Sequence, residues 1–188
     1  MVIIYGLGNN EDKYLQTKHN VGRLLLEHIA NTQNLKFTKI KSVMVAKYNN
    51  IHLVYSLDYM NTSGRYLNEY INFVKPSNLQ LYVLQDDSDQ NIQNSKILVG
   101  GGSAGHNGII DIYQYCLNWG ISINDVVRTK IGIRPGLNRA KSMTFVLSKI
   151  NKEEQDYIEN IGNTISKNID LIEKNNIPKL QNIINTKL

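Results

Sequence analysis

Five residues in this chain have the types that polar hydrolytic chemistry needs. They are Asn9, His19, Asn61, Asp86 and Asn107, each at or near an expected strand end or helix start. A histidine with an ordinary pKa near ~6.5 can take a proton from water at neutral pH. A carboxylate on its far ring nitrogen would fix the tautomer and stabilise the imidazolium. Asparagine amides can each present one acceptor and two donors to a peptide backbone. Together these residues suit water activation with no metal and no covalent intermediate.

Other chemistries fit the residues less well. Four histidines (19, 28, 52 and 106) and one cysteine show no metal-ligand spacing such as His-x-x-x-His or Cys-x-x-Cys. His28 falls on an apolar helix face and reads as a satisfied core residue; His52 reads as a strand or turn residue. Gly6-Leu7-Gly8 after the first strand has the start of a dinucleotide loop, but Glu11 stands where the third glycine belongs. Ser63 and Ser103 lack a Gly-x-Ser-x-Gly elbow and read as turn or cap hydroxyls.

The elements that must position these groups follow from periodicity. Val2–Tyr5 predicts a buried strand, and Asn20 caps a helix running to about Asn31, with Val21, Leu24, Leu25, His28 and Ile29 near one face. "SVMVAKY" and "IHLVYSL" flank Asn49-Asn50, a hairpin signal. Asn61 or Thr62 starts a helix that ends before Pro76. "LYVLQ" is a strand followed by the acidic turn "DDSD"; "KILVG" is a strand entering "GGGSAGHNG". A helix from Gly108 to about Leu117 and the strand "VVRTKIGI" follow. "SMTFVLSKI" is a short apolar element of open type, Lys152–Lys174 is helical, and Pro178 opens a last short helix. Strands alternating with helices, interrupted by one hairpin, predict an α/β fold: a mostly parallel, mixed, twisted sheet with helices on both faces, in a single domain spanning 1–188, its C-terminal helices starting near 151.

Composition bounds the setting. The 188 residues suffice for one domain with a core, and 41% hydrophobic with 20% charged residues is ordinary for a globular protein. No apolar run approaches the roughly 18 residues of a membrane helix. "MVIIYG" is a short apolar opening without a basic region before it, unlike a secretory signal. The lone Cys116 excludes an internal disulfide, and a reducing, cytoplasmic compartment is expected. A net charge of +5 favours polyanion partners such as nucleic acid, though a generic basic surface would give the same balance.

Several motifs taken in order are more specific than any one of them. They are "GLGN" at 6–9, "TKHNVG" at 17–22 after Tyr14, "YMNTSG" at 59–64, "VLQDDSD" at 83–89, "GGGSAGHNGIIDI" at 100–112, "RTKIGIRPG" at 128–136 and "FVLSKI" at 145–150. On these the chain resembles bacterial-type peptidyl-tRNA hydrolase over roughly positions 2 to 150. The resemblance implies cleavage of the ester joining a peptide to the terminal ribose of tRNA, by a monomer that needs no cofactor. It implies His19 as catalytic base and Asp86 as its partner, with Asp87 adjacent and Asp89 close by. It implies substrate contacts from Asn9, Tyr14, Met60, Asn61, His106 and Asn107. It places Lys96 and Lys130 at tRNA phosphate, with Arg128 and Arg134 as nearby candidates. The chain departs from the family in Asn10, where a proline is usual, and in the polar run after "DDSD", which lacks the usual apolar residues and proline and is expected to be looser. The segment "IGIRPG" is one residue shorter than usual. A non-hydrolysing RNA-binding protein on the same scaffold is the alternative reading, and a dinucleotide-dependent enzyme is a third.

Overall fold

The computed structural model describes residues 1–134 and 143–185. The end of one motif, Pro135-Gly136, the start of another segment, Ser142, and the last three positions lie outside the described residues. One seven-stranded sheet organises the chain, in the order β2-β3-β4-β1-β5-β7-β6. The strands are β1 (Val2–Gly6), β2 (Thr38–Ile40), β3 (Val43–Tyr48), β4 (Ile51–Ser56), β5 (Gln80–Asn91), β6 (Ser95–Val99) and β7 (Val127–Arg134). The central run β4-β1-β5-β7 is parallel throughout, and antiparallel ladders flank it: β2 with β3, β3 with β4, and β6 with β7. Parallel pairs therefore form the middle of a mixed sheet.

The helices are α1 (Val21–Thr32), α2 (Ser63–Val74), α3 (Asn107–Tyr115), α4 (Met143–Val146), α5 (Lys152–Lys167), α6 (Ile169–Glu173) and α7 (Ile177–Asn185). Strand β1 explains why they cover both faces. Its residues are all apolar up to Gly6, and successive side chains point to opposite sides of a strand. Val2 and Ile4 join a core with Leu25, Ile29, Ile161, Ile165, Leu180 and their neighbours, from α1, α5 and α7. Ile3 and Tyr5 join a second core with Leu67, Ile71, Ile109 and Ile112, from α2 and α3. Each fully buried aliphatic side chain contributes about 1.5–3 kcal/mol, so an unbroken apolar strand is stable only between two layers.

Several features differ from the sequence-based expectations. The acidic segment is not a turn: β5 continues through it to Asn91, bulging between Asp87 and Asn91 against β7. The expected helix over Lys152–Lys174 is interrupted at Asn168, which separates α5 from α6. Asn20 occupies the N-cap position of α1 without a side-chain cap bond, because its amide is used elsewhere. Asn49, in the left-handed conformation at φ 50°, makes the expected β3–β4 hairpin turn.

The edges of the sheet are managed differently. Strand β2 is three residues long. Strand β6 is covered by α7: Ile97 N donates to Asn185 Oδ1 at 2.7 Å, and Gln181 Nε2 donates to Ile97 O at 3.2 Å. No helix among the described residues is long and apolar enough to cross a membrane.

Candidate active site

The parallel strands end on one side of the sheet, and the crevice beyond such ends is where open α/β sheets bind ligands. A cleft of about 380 Å³ lies there, lined by residues from the β1 turn, β5, β7, the starts of α2 and α3, and the end of α4.

The β1 turn supplies Asn9. Its backbone N donates to Asn20 Oδ1 and its carbonyl accepts from Asn20 Nδ2, both at 2.8 Å. Asn20 thus pairs with the Asn9 backbone as a neighbouring strand would, which is why it does not cap α1. Asn9 Oδ1 accepts from Met60 N at 2.9 Å. With that oxygen occupied, the Asn9 amide nitrogen is the group left for a ligand. The same bond docks the turn Met60–Thr62, which carries Asn61, against the β1 turn. Asp111 of α3 steadies that turn from the other side, accepting from Gly64 N at 2.6 Å and Arg65 N at 3.2 Å at the start of α2.

His19 sits in the one-turn segment Lys18–Asn20 just before α1. The parallel register pairs Gly6 of β1 with Leu84 of β5, so Asp86 stands two residues beyond the end of β1, facing the turn. His19 Nδ1 lies 3.0 Å from Asp86 Oδ1 and 3.1 Å from Oδ2. The far nitrogen, Nε2, is therefore the one available to the cleft. Asp86 is 4% exposed. Its burial opposes ionisation, but the two imidazoles beside it, His106 and His19, outweigh burial and hold its carboxyl far below the usual range. Burial pulls the His19 pKa down, whereas the charge and hydrogen bond of Asp86 push it up more strongly, leaving it above 6.5.

His106, expected at the substrate, has a different contact. Its Nε2 lies 2.9 Å from Asp86 Oδ1, the oxygen that also serves His19. The buried His106 Nδ1 has no partner among the described residues. His106 therefore braces Asp86 from beside His19, the two ring centroids lying 5.4 Å apart. Asn107 opens α3 at the rim of the cleft, so the positive end of that helix faces the site. Tyr14 and Met60 line the cleft as expected, and Tyr59, Gln85, Val146 and Leu147 join them.

Among the acidic residues of "DDSD", Asp86 alone touches the ring. Asp87 pairs with Lys130 at 2.7 Å, and Asp89 lies 3.3 Å from Arg134. Arg134 Nε also donates to Ser88 O at 2.8 Å. Lys96 lies outside the cleft, across the ladder from Lys130. Arg128 does not fit the expected phosphate contact. It is 2% exposed, and its Nη1 and Nη2 donate to the carbonyls of Gly102 and Gly100 at 3.0 and 2.8 Å. It clamps the glycine loop that leads into His106 and Asn107.

His19, Asp86 and His106 place one potential metal-ligand atom each within 4.8 Å of one another, a grouping that sequence spacing did not reveal. Two of those atoms already hydrogen-bond to the third, and an ion there would replace both bonds. The expected core histidine, His28, is only partly buried and bonds Asn163 across the α1–α5 contact at 2.9 Å. His52 is a strand residue bonded to the Tyr70 hydroxyl at 2.8 Å.

An open α/β sheet here carries an imidazole–carboxylate pair and amides at its strand ends, facing one polar cleft. The chain belongs to the peptidyl-tRNA hydrolase family, whose sequence profile matches residues 3–188. It is 33% identical over 192 residues to the peptidyl-tRNA hydrolase of Francisella tularensis subsp. novicida, covering 99% of this chain and 92% of the relative. It is 31% identical over 190 residues to that of Clostridium perfringens, covering 98% and 97%. The crystal structure of peptidyl-tRNA hydrolase from Acinetobacter baumannii superposes with a TM-score of 0.84 at 25% identity, over 100% of this chain and 95% of that one.

Proposed function

We propose that this protein hydrolyses the ester between peptide and tRNA in peptidyl-tRNA, with His19 as general base. The observation that carries the reading is the His19 Nδ1–Asp86 contact at 3.0 Å, which leaves Nε2 facing the cleft. In the forward step Nε2 takes a proton from water as the oxygen attacks the ester carbonyl. The imidazolium that forms is stabilised by Asp86, itself braced by His106. As the tetrahedral intermediate collapses, the C–O bond to the ribose breaks and the ring returns its proton to the departing ribose oxygen. Peptide acid and free tRNA are the products, and no proton is gained or lost by the enzyme.

The amide nitrogen of Asn9, with Asn61 and Asn107, is assigned to the peptide carbonyls and the developing oxyanion. Tyr14 and Met60 form the groove wall. An ester of this kind needs less assistance than an amide, so a positioned base and orientation are enough. Lys96, with Lys130 and Arg134 behind their acidic partners, is assigned to the tRNA backbone. The enzyme is proposed to act as a cytoplasmic monomer, the chain forming one domain.

His19→Ala is expected to lower turnover of peptidyl-tRNA by roughly 10²–10⁴-fold while tRNA binding persists. Near wild-type turnover would remove His19 from this role. The non-hydrolysing RNA-binding alternative predicts no ester cleavage by the wild-type protein, so the same assay separates the two.

A further inference from the structure

Next to the catalytic ring, a second charged side chain of the same turn points into the protein. The Lys18 ammonium pairs with Glu154, and the two side chains are only 8% and 9% exposed. The ammonium also lies 5.4 Å from the centroid of the Phe145 ring. Glu154 is held in turn by the start of α5. Its Oε2 accepts from Asn151 N at 3.0 Å, and its own N donates to Asn151 Oδ1 at 2.9 Å, a capping box.

Stability alone is a weak account of such a pair. Desolvating two charges costs much of what their attraction returns, and an apolar pair of similar shape is often as stable or more so. Location gives a stronger account. Lys18 and Asn20 flank His19 within a single three-residue turn. Asn20 is fastened to Asn9 on one side, and Lys18 to Glu154 on the other. Backbone bonds link the same turn to the segment before α5: Lys18 N to Ser148 O at 3.0 Å and Ile150 N to Gln16 O at 2.9 Å. That segment supplies Val146 and Leu147 to the cleft wall. Backbone bonds limit how far the turn slides; side chains fixed on both flanks stop it rolling about its own axis.

We propose that the buried Lys18–Glu154 pair is a positioning device for the general base, setting the roll of the His19 turn so that Nδ1 meets Asp86 and Nε2 meets the substrate. It also ties the ring to the cleft wall formed before α5. Neither residue touches the substrate. The inference rests on His19 being the base.

The test is the double variant Lys18→Met/Glu154→Gln, neutral and similar in shape; glutamine keeps the capping box. It is assayed on peptidyl-tRNA across pH, with a thermal melt and an NMR titration of the His19 ring. The expected result is a melting temperature near wild type, an unchanged KM and a kcat lower by roughly 10- to 100-fold. The His19 titration and the acid limb of kcat/KM should move together to lower pH, because a ring that slips from Asp86 loses the charge that favours its protonated form. Lys18→Arg, which keeps the charge, should recover most of the rate. A folded double variant with wild-type kcat, or one with reduced kcat and an unmoved acid limb, would overturn the proposal. If the double variant does not fold, Glu154→Gln alone is put through the same titration, and an unmoved limb again overturns it. His19→Ala run beside it isolates the base assignment: turnover surviving in that variant faults the base, not the pair.

Discussion

At the scale of single residues, one carboxylate serves two imidazoles. Asp86 Oδ1 receives both His19 Nδ1 and His106 Nε2. As the proposed base, His19 is active when neutral, so kcat/KM should rise with pH through its pKa, which Asp86 holds above the ordinary 6.5. Asp86→Asn removes the negative charge that favours imidazolium; its acid limb should move to lower pH while kcat falls at least roughly 100-fold. A pH profile whose acid limb stays in place would show that Asp86 does not set the His19 titration. The candidate base stood out in the sequence as a histidine between Lys18 and Asn20, ahead of an apolar helix, and its ring lies against Asp86. The double use of Asp86 was not legible, since three acids lie within four positions and only the strand register decides which one faces the turn. The roles of Asn20 and Lys18 were hidden for a related reason. Each looks like an ordinary cap or surface residue until the partner, Asn9 or the distant Glu154, is brought alongside.

At the scale of elements, the site is assembled from starts and ends. Apolar runs and breakers marked β1, β4, α1, α2 and α3 well, because buried strands and amphipathic helices leave clear periods. Strand β2 escaped notice because it is only three residues long and two of them, Thr38 and Lys39, are polar and exposed. The break at Asn168 was masked by isoleucines that continue at helical spacing on both sides of it. The glycine loop was recognised, but not its clamp. Arg128 binds two loop carbonyls and lies under the Tyr113 ring, whose hydroxyl donates to Gly101 O at 2.9 Å. Arg128→Met removes the donor to the buried Gly100 carbonyl, at a cost of about 1–3 kcal/mol, and releases the exposed Gly102 carbonyl to water. The melting temperature should drop by about 2–4 °C for each kcal/mol lost. The salt dependence of tRNA binding should stay as it is. A flatter salt slope with an unchanged melting temperature would return Arg128 to the phosphate-binding group.

At the scale of the whole molecule, a net charge of +5 favours a polyanionic partner, yet several cations near the cleft already have acidic neighbours. To meet phosphate in the proposed role, Lys130 and Arg134 would have to exchange Asp87 and Asp89 for it, whereas no ion pair with Lys96 occurs among the described residues. Lys96→Ala should therefore weaken binding across many tRNAs and reduce the salt slope by about 1, while a minimal ester is cleaved at the wild-type rate. Slower cleavage of the minimal ester would place that lysine at the chemistry instead. The last helix has a consequence of another kind. By spending Asn185 and Gln181 on the outward peptide groups of Ile97, α7 takes up hydrogen-bonding capacity that a foreign strand would otherwise template on. Stripped of those two amides, the molecule should keep its chemistry while copies join edge to edge more readily as the solution is concentrated.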